Sequence, residues 1–136
     1  MDKKNKYDLS LYRLERAQED LKTAYDNYKQ KNYRAANNRA YYSIFHSIRA
    51  ILALKETDFR KHKDVIAYFN KNYIHTEIFP KKIGHKIALA SRIREDSDYD
   101  DDFEPSDEQT IEQINSAKEV LEIVEEYVKS EIQKNK

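Results

Sequence analysis

The sequence predicts an all-α protein folded as an antiparallel up-and-down bundle of about five helices. One glycine and two prolines in 136 residues are very few, and strands and tight turns depend on glycine while helix interiors exclude both residue types. Apolar residues recur at helical spacing in five segments, which is the pattern of helices that bury one face. The connections between these segments are short, as in an antiparallel bundle.

Two long helices are predicted in the first half of the chain. The first covers about residues 8–30, where leucine, alanine and tyrosine repeat at helical spacing with charged residues between them. The second covers about residues 33–54, and alanine and large apolar residues dominate its buried side. Residues 55–58 are polar and are predicted to be a connector.

A third and a fourth helix follow this connector. The third is predicted over about residues 59–73, with a loop over residues 74–79 behind it. Pro80 is well placed to open the fourth helix, which we expect over residues 81–95. Gly84 lies inside that helix at a cost of about 1 kcal/mol relative to alanine, so we expect a close helix approach there.

The fifth helix is predicted from a capping sequence. Residues 96–104 are acidic and lack an apolar stripe, so we interpret them as a loop. Ser106 is a good N-cap residue, and Gln109 stands three positions later, as in a capping box. A long apolar stripe follows and ends in a lysine-rich tail.

Composition excludes several classes of protein. The length predicts a single domain over residues 1–136. No cysteine is present, which removes disulfides and thiolate metal sites. The first residues are charged, with no apolar segment after them, and no apolar run approaches a membrane span. We therefore expect a cytoplasmic protein without membrane segments.

The sequence also gives no reason to expect a metal ion or a cofactor. None of the four histidines is paired with another at helical spacing, and no HExxH motif occurs. The acidic stretch lacks the glycine and the closing glutamate of an EF-hand. Phosphate-binding glycine loops and the G-x-S-x-G motif are missing too. Equal numbers of basic and acidic residues, 25 each, leave any nucleic-acid binding to local patches.

The second helix carries a polar stripe beside its apolar face. Arg39, Tyr42 and His46 are spaced by three and four residues, so they are neighbours on one helix face. Arginine binds phosphate, histidine moves protons near neutral pH, and tyrosine stacks on a base. These are the groups that metal-free cleavage of an RNA phosphodiester needs. The same side chains could instead pair with neighbouring helices and only stabilise the fold.

Two further groups contain residues suited to phosphate. His62 and Lys63 belong to the basic run at residues 60–63, which opposes the helix dipole and would favour an anion. A solvated helix start explains the same run equally well. Arg94 and Tyr99 lie at the end of the fourth helix and at the acidic stretch.

Taken together, residues 38–46, 62–66 and 92–99 resemble the HEPN superfamily (higher eukaryotes and prokaryotes nucleotide-binding), in its small stand-alone prokaryotic branch. The resemblance implies a helical bundle that is usually dimeric. It also implies, for many members, a metal-independent ribonuclease whose arginine–histidine signature meets its copy across the dimer. Other members pair with a small nucleotidyltransferase as toxin and antitoxin, or bind nucleotides without cleaving them.

The resemblance implies a set of functional residues in this sequence. Arg39 and His46 match the spacing of the signature and are the candidate catalytic pair. The candidate RNA- or nucleotide-binding residues are Asn38, Tyr42, His62, Lys63, Arg94 and Tyr99. In toxin-type members the signature lies later in the bundle, where Asp98 stands in place of the expected histidine, and an ionised aspartate repels phosphate.

The function that follows is an RNA- or nucleotide-directed HEPN protein, in its cleaving form a metal-independent ribonuclease of a toxin–antitoxin pair. The alternative is a non-catalytic subunit that binds a nucleotide or a small nucleotidyltransferase. A purely structural dimer is a third interpretation. In each case we expect a homodimer.

Overall fold

The computed structural model describes residues 3–135 and confirms the all-α prediction, since this part of the chain contains no strand. The helices in chain order are α1 (Lys3–Lys29), α2 (Tyr33–Leu54), α3 (His62–Phe69), α4 (Lys81–Tyr99) and α5 (Asp107–Lys134). A π-helical segment, Asn70–Ile74, continues α3 directly. Residues 1 and 2, which belong to the charged start of the sequence, lie outside the described residues.

α2 lies at the centre of the bundle and contacts the other four α-helices. Its isoleucines Ile44, Ile48 and Ile51 are almost completely buried, and burying one such side chain stabilises the fold by about 2 kcal/mol. Small residues on α1, among them Ala17 and Ala24, are fully buried and allow α1 and α2 to approach closely.

Two serine hydroxyls join α1 to α2 inside this seam. Ser10 Oγ donates to the Ala50 carbonyl at 2.7 Å, and Ser43 Oγ donates to the Ala17 carbonyl at 2.8 Å. Both serines are fully buried, so the hydrogen bonds compensate for the loss of water. The two bonds fix the register between the helices that support the candidate site.

Several helix boundaries differ from the predicted ones. α1 begins at Lys3 rather than near residue 8, because Tyr7 extends its apolar stripe onto the core. α3 begins at His62 rather than at residue 59, and Lys61 before it is extended. The cations at positions 60 and 61 would oppose the helix dipole. The basic run at 60–63 is therefore divided between a connector and the first turn of α3.

The acidic stretch was predicted as a loop from residue 96, and this prediction is wrong for its first part. α4 continues to Tyr99. Arg34 donates from Nη1 to the Ser97 carbonyl and from Nη2 to the Phe103 carbonyl. These bonds hold the last turn of α4 without an apolar stripe, so hydrophobic periodicity could not reveal it.

Two local predictions are confirmed by the packing. Ser106 caps α5, because its Oγ accepts a hydrogen bond of 3.0 Å from the Gln109 backbone N–H. At Gly84 a Cβ atom would lie 3.2 Å from Cγ2 of Ile74, so the glycine does mark a close approach between α4 and the π-helical segment.

Near the cap, Asp107 joins the start of α5 to two other helices. Tyr28 of α1 donates to Oδ1 of Asp107 at 2.8 Å, and Tyr33 of α2 donates to Oδ2 at 2.7 Å. These hydrogen bonds lower the pKa of Asp107 and raise the pKa values of both phenols. One carboxylate thus connects three helices.

Within residues 3–135, no helix is both long enough and apolar enough to cross a bilayer. The same residues contain no group of three or more histidine, aspartate or glutamate side chains placed to hold a metal ion.

Candidate functional site

The predicted pair Arg39 and His46 meets on a third residue, Asp20 of α1. Arg39 Nη1 lies 3.0 Å from Oδ1 of Asp20, and His46 Nε2 lies 3.5 Å from Oδ2. Asp20 is only 6% exposed, so its charge is largely shielded from water. The sequence analysis missed Asp20, although a signal existed: an acid standing in phase with the buried Ala17 and Ala24 breaks an apolar stripe.

The pKa of His46 is lowered from its ordinary value. Burial is the largest cause because it penalises the charged imidazole, and the nearby arginines act in the same direction. The Asp20 carboxylate acts against them and raises the pKa. His46 is therefore neutral at pH 7, with a carboxylate positioned to stabilise the protonated ring whenever it forms.

Arg39 keeps part of its binding capacity. Its Nη1 donates to Asp20, while Nε and Nη2 donate to Oδ1 of Asn38. A guanidinium has five N–H groups, so about two remain for another ligand. The guanidinium also lies 4.9 Å from the ring centroid of Tyr42, which is cation–π distance.

An open cleft of about 410 Å³ lies beside Arg39, between α1, α2 and the end of α4. We call it the arginine cleft. Its charged and carboxamide residues are Asn27, Arg34, Asn38, Arg39, Arg94 and Asp98. Three of these are arginines, and each has one acidic partner, Asp20, Glu104 or Asp98. An anion would therefore be bound by the remaining guanidinium N–H groups and not by a net positive charge. The structure thus brings Arg39, Asn38 and Arg94 together, whereas His46 is not among the residues that line this cleft.

Arg34 is a second residue that the sequence analysis missed. Besides the two carbonyls at the end of α4, it lies 3.6 Å from Oε1 of Glu104. Arg34 therefore closes one end of the arginine cleft and ties the acidic stretch to α2. The only signal in the sequence is that no acidic residue lies three or four positions from Arg34 to pair with it on α2.

Arg94 of α4 contacts side chains of α2, α3 and α4. Its guanidinium carbon lies 5.0 Å from the ring centroid of Tyr41 and 5.7 Å from that of Tyr42. Its Nη1 lies 3.4 Å from Nδ1 of His62, and its Nε lies 3.5 Å from Oδ2 of Asp98. Arg94 is thus held between two aromatic rings and a carboxylate, with one face toward α3.

His62 is fixed by contacts with α2. The Tyr41 hydroxyl lies 2.9 Å from Nδ1 of His62, and the imidazole stacks on Phe45 with the ring centroids 3.9 Å apart. The pKa of His62 is lowered, first by burial and then by the positive charges of Arg94 and Arg49. Burial also raises the pKa of Tyr41. Both groups are neutral at pH 7.

A second cleft, of about 480 Å³, opens between α3 and α4. We call it the α3–α4 cleft. Its titratable residues are Tyr41, His62, Lys63, Arg92, Arg94 and Glu95. Arg94 lines both clefts. The predicted residues His62 and Lys63 thus line the same cleft as Arg94. The contact of Tyr41 with His62 was not predicted from the sequence.

Tyr99 lies apart from both clefts. It is the last residue of α4, is 87% exposed, and is not a lining residue of either cleft.

The sequence is similar to a known domain family and to several known proteins. The model of the HEPN domain matches residues 10–127. A UPF0332 protein of Thermotoga maritima is 30% identical over 117 residues, which cover 86% of this chain and 89% of that protein. A protein of Methanocaldococcus jannaschii named Putative toxin is 31% identical over 116 residues, which cover 85% and 86%. A second protein with that name, from the same organism, is 32% identical over 87 residues, covering 64% and 59%.

Proposed function

The chain belongs to the HEPN family, and on that premise we propose that it acts on RNA as the metal-independent ribonuclease of a toxin–antitoxin pair. The observation that carries the proposal is the arginine cleft. Arg39 of α2 and Arg94 of α4 line it together, with Arg34 at one end. Guanidinium groups remain charged and bind phosphate oxygens in pairs, so a nucleic-acid backbone suits this cleft.

The chemistry proposed for the site is transfer of the phosphodiester to the adjacent 2′-hydroxyl. The 2′-oxygen forms a bond to phosphorus while the bond from phosphorus to the 5′-oxygen breaks. The products are a 2′,3′-cyclic phosphate and a 5′-hydroxyl. Arg39 would hold the scissile phosphate, and Tyr42 would position a base or ribose.

His46 would take the proton from the attacking 2′-hydroxyl, and the departing 5′-oxygen would take up a proton from water. The closeness of the buried Asp20 supports the role, since a carboxylate 3.5 Å from Nε2 stabilises the imidazolium. With Nε2 turned to Asp20, Nδ1 is the nitrogen left for proton transfer. Because His46 does not line the arginine cleft, RNA must reach it over the side chains of Arg39 and Tyr42, whose guanidinium and ring lie against each other.

Relatives named Putative toxin support a toxin-type role for this chain. The proposed assembly is a homodimer in which two copies of the site meet. The proposed partner is a small nucleotidyltransferase that acts as the antitoxin, with Arg94 and the exposed Tyr99 near the contact surface.

A second candidate function is a non-catalytic subunit that binds a nucleotide or the partner protein. It is favoured by Asp98, whose carboxylate pairs with Arg94 at 3.5 Å where toxin-type members are expected to have a histidine. That pairing reduces the positive charge of the cleft.

Cleavage of single-stranded RNA in the presence of EDTA tests the proposal. We expect products that end in 2′,3′-cyclic phosphate, and we expect His46→Ala to abolish them. His85→Ala is the matched control, because His85 is an exposed histidine on α4 outside both clefts. Absence of cleavage by the natural sequence, or full cleavage by His46→Ala, would rule out the catalytic version.

A further inference from the structure

We propose that the α3–α4 cleft is a second phosphate-binding site, so that the ligand is an oligonucleotide chain that crosses Arg94 and not a mononucleotide. The inference rests on the proposed function, because it assumes that the arginine cleft holds one phosphate of the same chain. It adds the size class of the ligand and the residues that bind its next phosphate.

The arrangement of the two clefts is the first argument. Arg94 is a wall of both, so a chain bound in one cleft meets the other without leaving the protein surface. The α3–α4 cleft adds Lys63 and Arg92 on its own side, against the single acid Glu95. Both cations are exposed. A mononucleotide would use only one of these two positive regions, whereas successive phosphates of a chain would use both.

The second argument is the position of the ring hydrogen on the His62 imidazole. Arg94 is always charged and can only donate, and its Nη1 lies 3.4 Å from Nδ1 of His62. The Tyr41 hydroxyl approaches the same nitrogen at 2.9 Å. Nδ1 therefore accepts, the imidazole is neutral, and its hydrogen resides on Nε2.

The Nε2–H group is then a donor without an acceptor. Within residues 3–135, the hydrogen bonds of the His62 ring all involve Nδ1. The stack on Phe45 restrains the ring, so the donor direction is fixed before any ligand arrives. A phosphate oxygen in the cleft would accept from Nε2–H, with the Lys63 ammonium one residue away on the same helix turn.

Asn70 gives a third and independent indication of a ligand. It lines the α3–α4 cleft, and its Oδ1 is buried with no hydrogen-bond partner in the described part of the chain. Buried acceptors of this kind are rare in folded proteins. A side-chain rotation that turns Oδ1 into the cleft would let it accept from a nucleobase amino group or a ribose hydroxyl next to the bound phosphate.

Binding of a chain that cannot be cleaved tests the inference separately from catalysis. The probes are a 2′-O-methyl tetraadenylate and adenosine monophosphate, and the dissociation constants are measured by calorimetry at one fixed salt concentration. We expect the tetranucleotide to bind at least about ten-fold more tightly than the mononucleotide. Loss of one charge-assisted contact should weaken tetranucleotide binding by roughly ten-fold.

The variants are chosen so that each cleft is tested alone. His62→Ala and Lys63→Ala report on the α3–α4 cleft, and Arg39→Ala reports on the arginine cleft. Lys63→Ala guards against a folding defect because Lys63 is exposed, and His85→Ala is the neutral control. The inference predicts that all three site variants weaken tetranucleotide binding and that His85→Ala does not.

The outcomes separate this inference from the proposed function. If only Arg39→Ala weakens binding, the arginine cleft stands and the second phosphate site is overturned. If only His62→Ala and Lys63→Ala weaken binding, the α3–α4 cleft stands and the Arg39 site falls. Equal affinity for the two probes, or no binding of the tetranucleotide at all, overturns the inference.

Discussion

The Tyr41 hydroxyl lies 2.9 Å from Nδ1 of His62, and the hydrogen bond between them, in which we infer that the hydroxyl donates, joins the central helix to the start of α3. A hydroxyl that donates to Nδ1 stabilises only the neutral imidazole, because the protonated ring has no lone pair to offer. It therefore works in the same direction as the burial and the arginines that lower the pKa of His62.

Tyr41→Phe should raise the pKa of His62 toward the ordinary histidine value. The substitution keeps the ring contacts with Arg94 and Phe45 and removes the donor to Nδ1. The measurement is a proton NMR titration of the His62 ring. Tyr42→Phe is the control, since Tyr42 meets His62 edge-on at a centroid distance of 5.8 Å without a hydrogen bond. Equal pKa values of His62 in the natural sequence and in Tyr41→Phe would contradict the assigned direction of the bond.

Acidification should destabilise the protein before its carboxylates protonate. His46 and His62 have lowered pKa values in the folded state. Their contribution to stability is fully present above about pH 6.5, the ordinary histidine value, and is lost as the pH falls through the folded pKa values. The midpoint temperature of thermal unfolding should therefore decrease as the pH is lowered from 7 to about 5. In the double variant His46→Gln and His62→Gln this fall should be clearly smaller, and an unchanged slope would contradict the prediction.

Asp20→Asn should reduce stability by roughly 1–3 kcal/mol, because it weakens the charge-assisted hydrogen bond that the buried Asp20 carboxylate accepts from Arg39. The variant has nearly the same shape, but it removes the carboxylate that faces Arg39 and His46. It should also lower the pKa of His46 further, because Asp20 is the group that raises it. Urea unfolding gives the first quantity and NMR titration the second. Glu19→Gln, at an exposed neighbouring position, should change stability by less than about 0.5 kcal/mol.

Ser106→Ala should cost about 1 kcal/mol of stability, the usual value for loss of an N-cap acceptor. The Gln109 N–H would lose the hydrogen bond that Ser106 Oγ accepts. The midpoint of urea unfolding should fall at an unchanged m-value. Ser106→Asp retains an acceptor and should unfold near the natural midpoint, so equal losses in both variants would argue against a capping role.

Gly84→Ala should change stability by less than about 1 kcal/mol, because the gain in helix propensity is offset by contact with Ile74. The added Cβ would lie 3.2 Å from Cγ2 of Ile74, which is a side-chain atom that can move slightly. Gly84→Val should cost roughly 1–3 kcal/mol through overpacking. Thermal unfolding of both variants, alone and with Ile74→Ala, which removes Cγ2, would show the coupling. Full additivity of the two positions would be inconsistent with a direct clash.

The sequence was sufficient for the number and order of the helices, but not for all of their ends or for the residue pairs that build the site. Periodicity predicted α2 over the range observed, because its apolar face is continuous. It could not predict the last turn of α4, which is held by Arg34, a residue 63 positions from Ser97.

The same limit applies to the polar side chains of the candidate site. Spacing placed Arg39, Tyr42 and His46 on one face correctly, since neighbours on one helix follow from its period. It could not identify Asp20, 19 positions before Arg39, or the bond between Tyr41 and His62, 21 positions apart. Contacts between helices depend on how the helices are rotated and shifted against each other, which no single periodic pattern encodes.

The carboxylate of Asp107, shared by Tyr28 and Tyr33, has a consequence for local opening of the native state. The turn between α1 and α2 cannot separate from the start of α5 without breaking both hydroxyl bonds to Asp107. Amide hydrogens on both sides of that junction should therefore exchange with solvent as one cooperative unit and share one opening free energy. The α3 segment contributes no bond to this junction among the described residues, so its amide hydrogens should exchange with a different opening free energy.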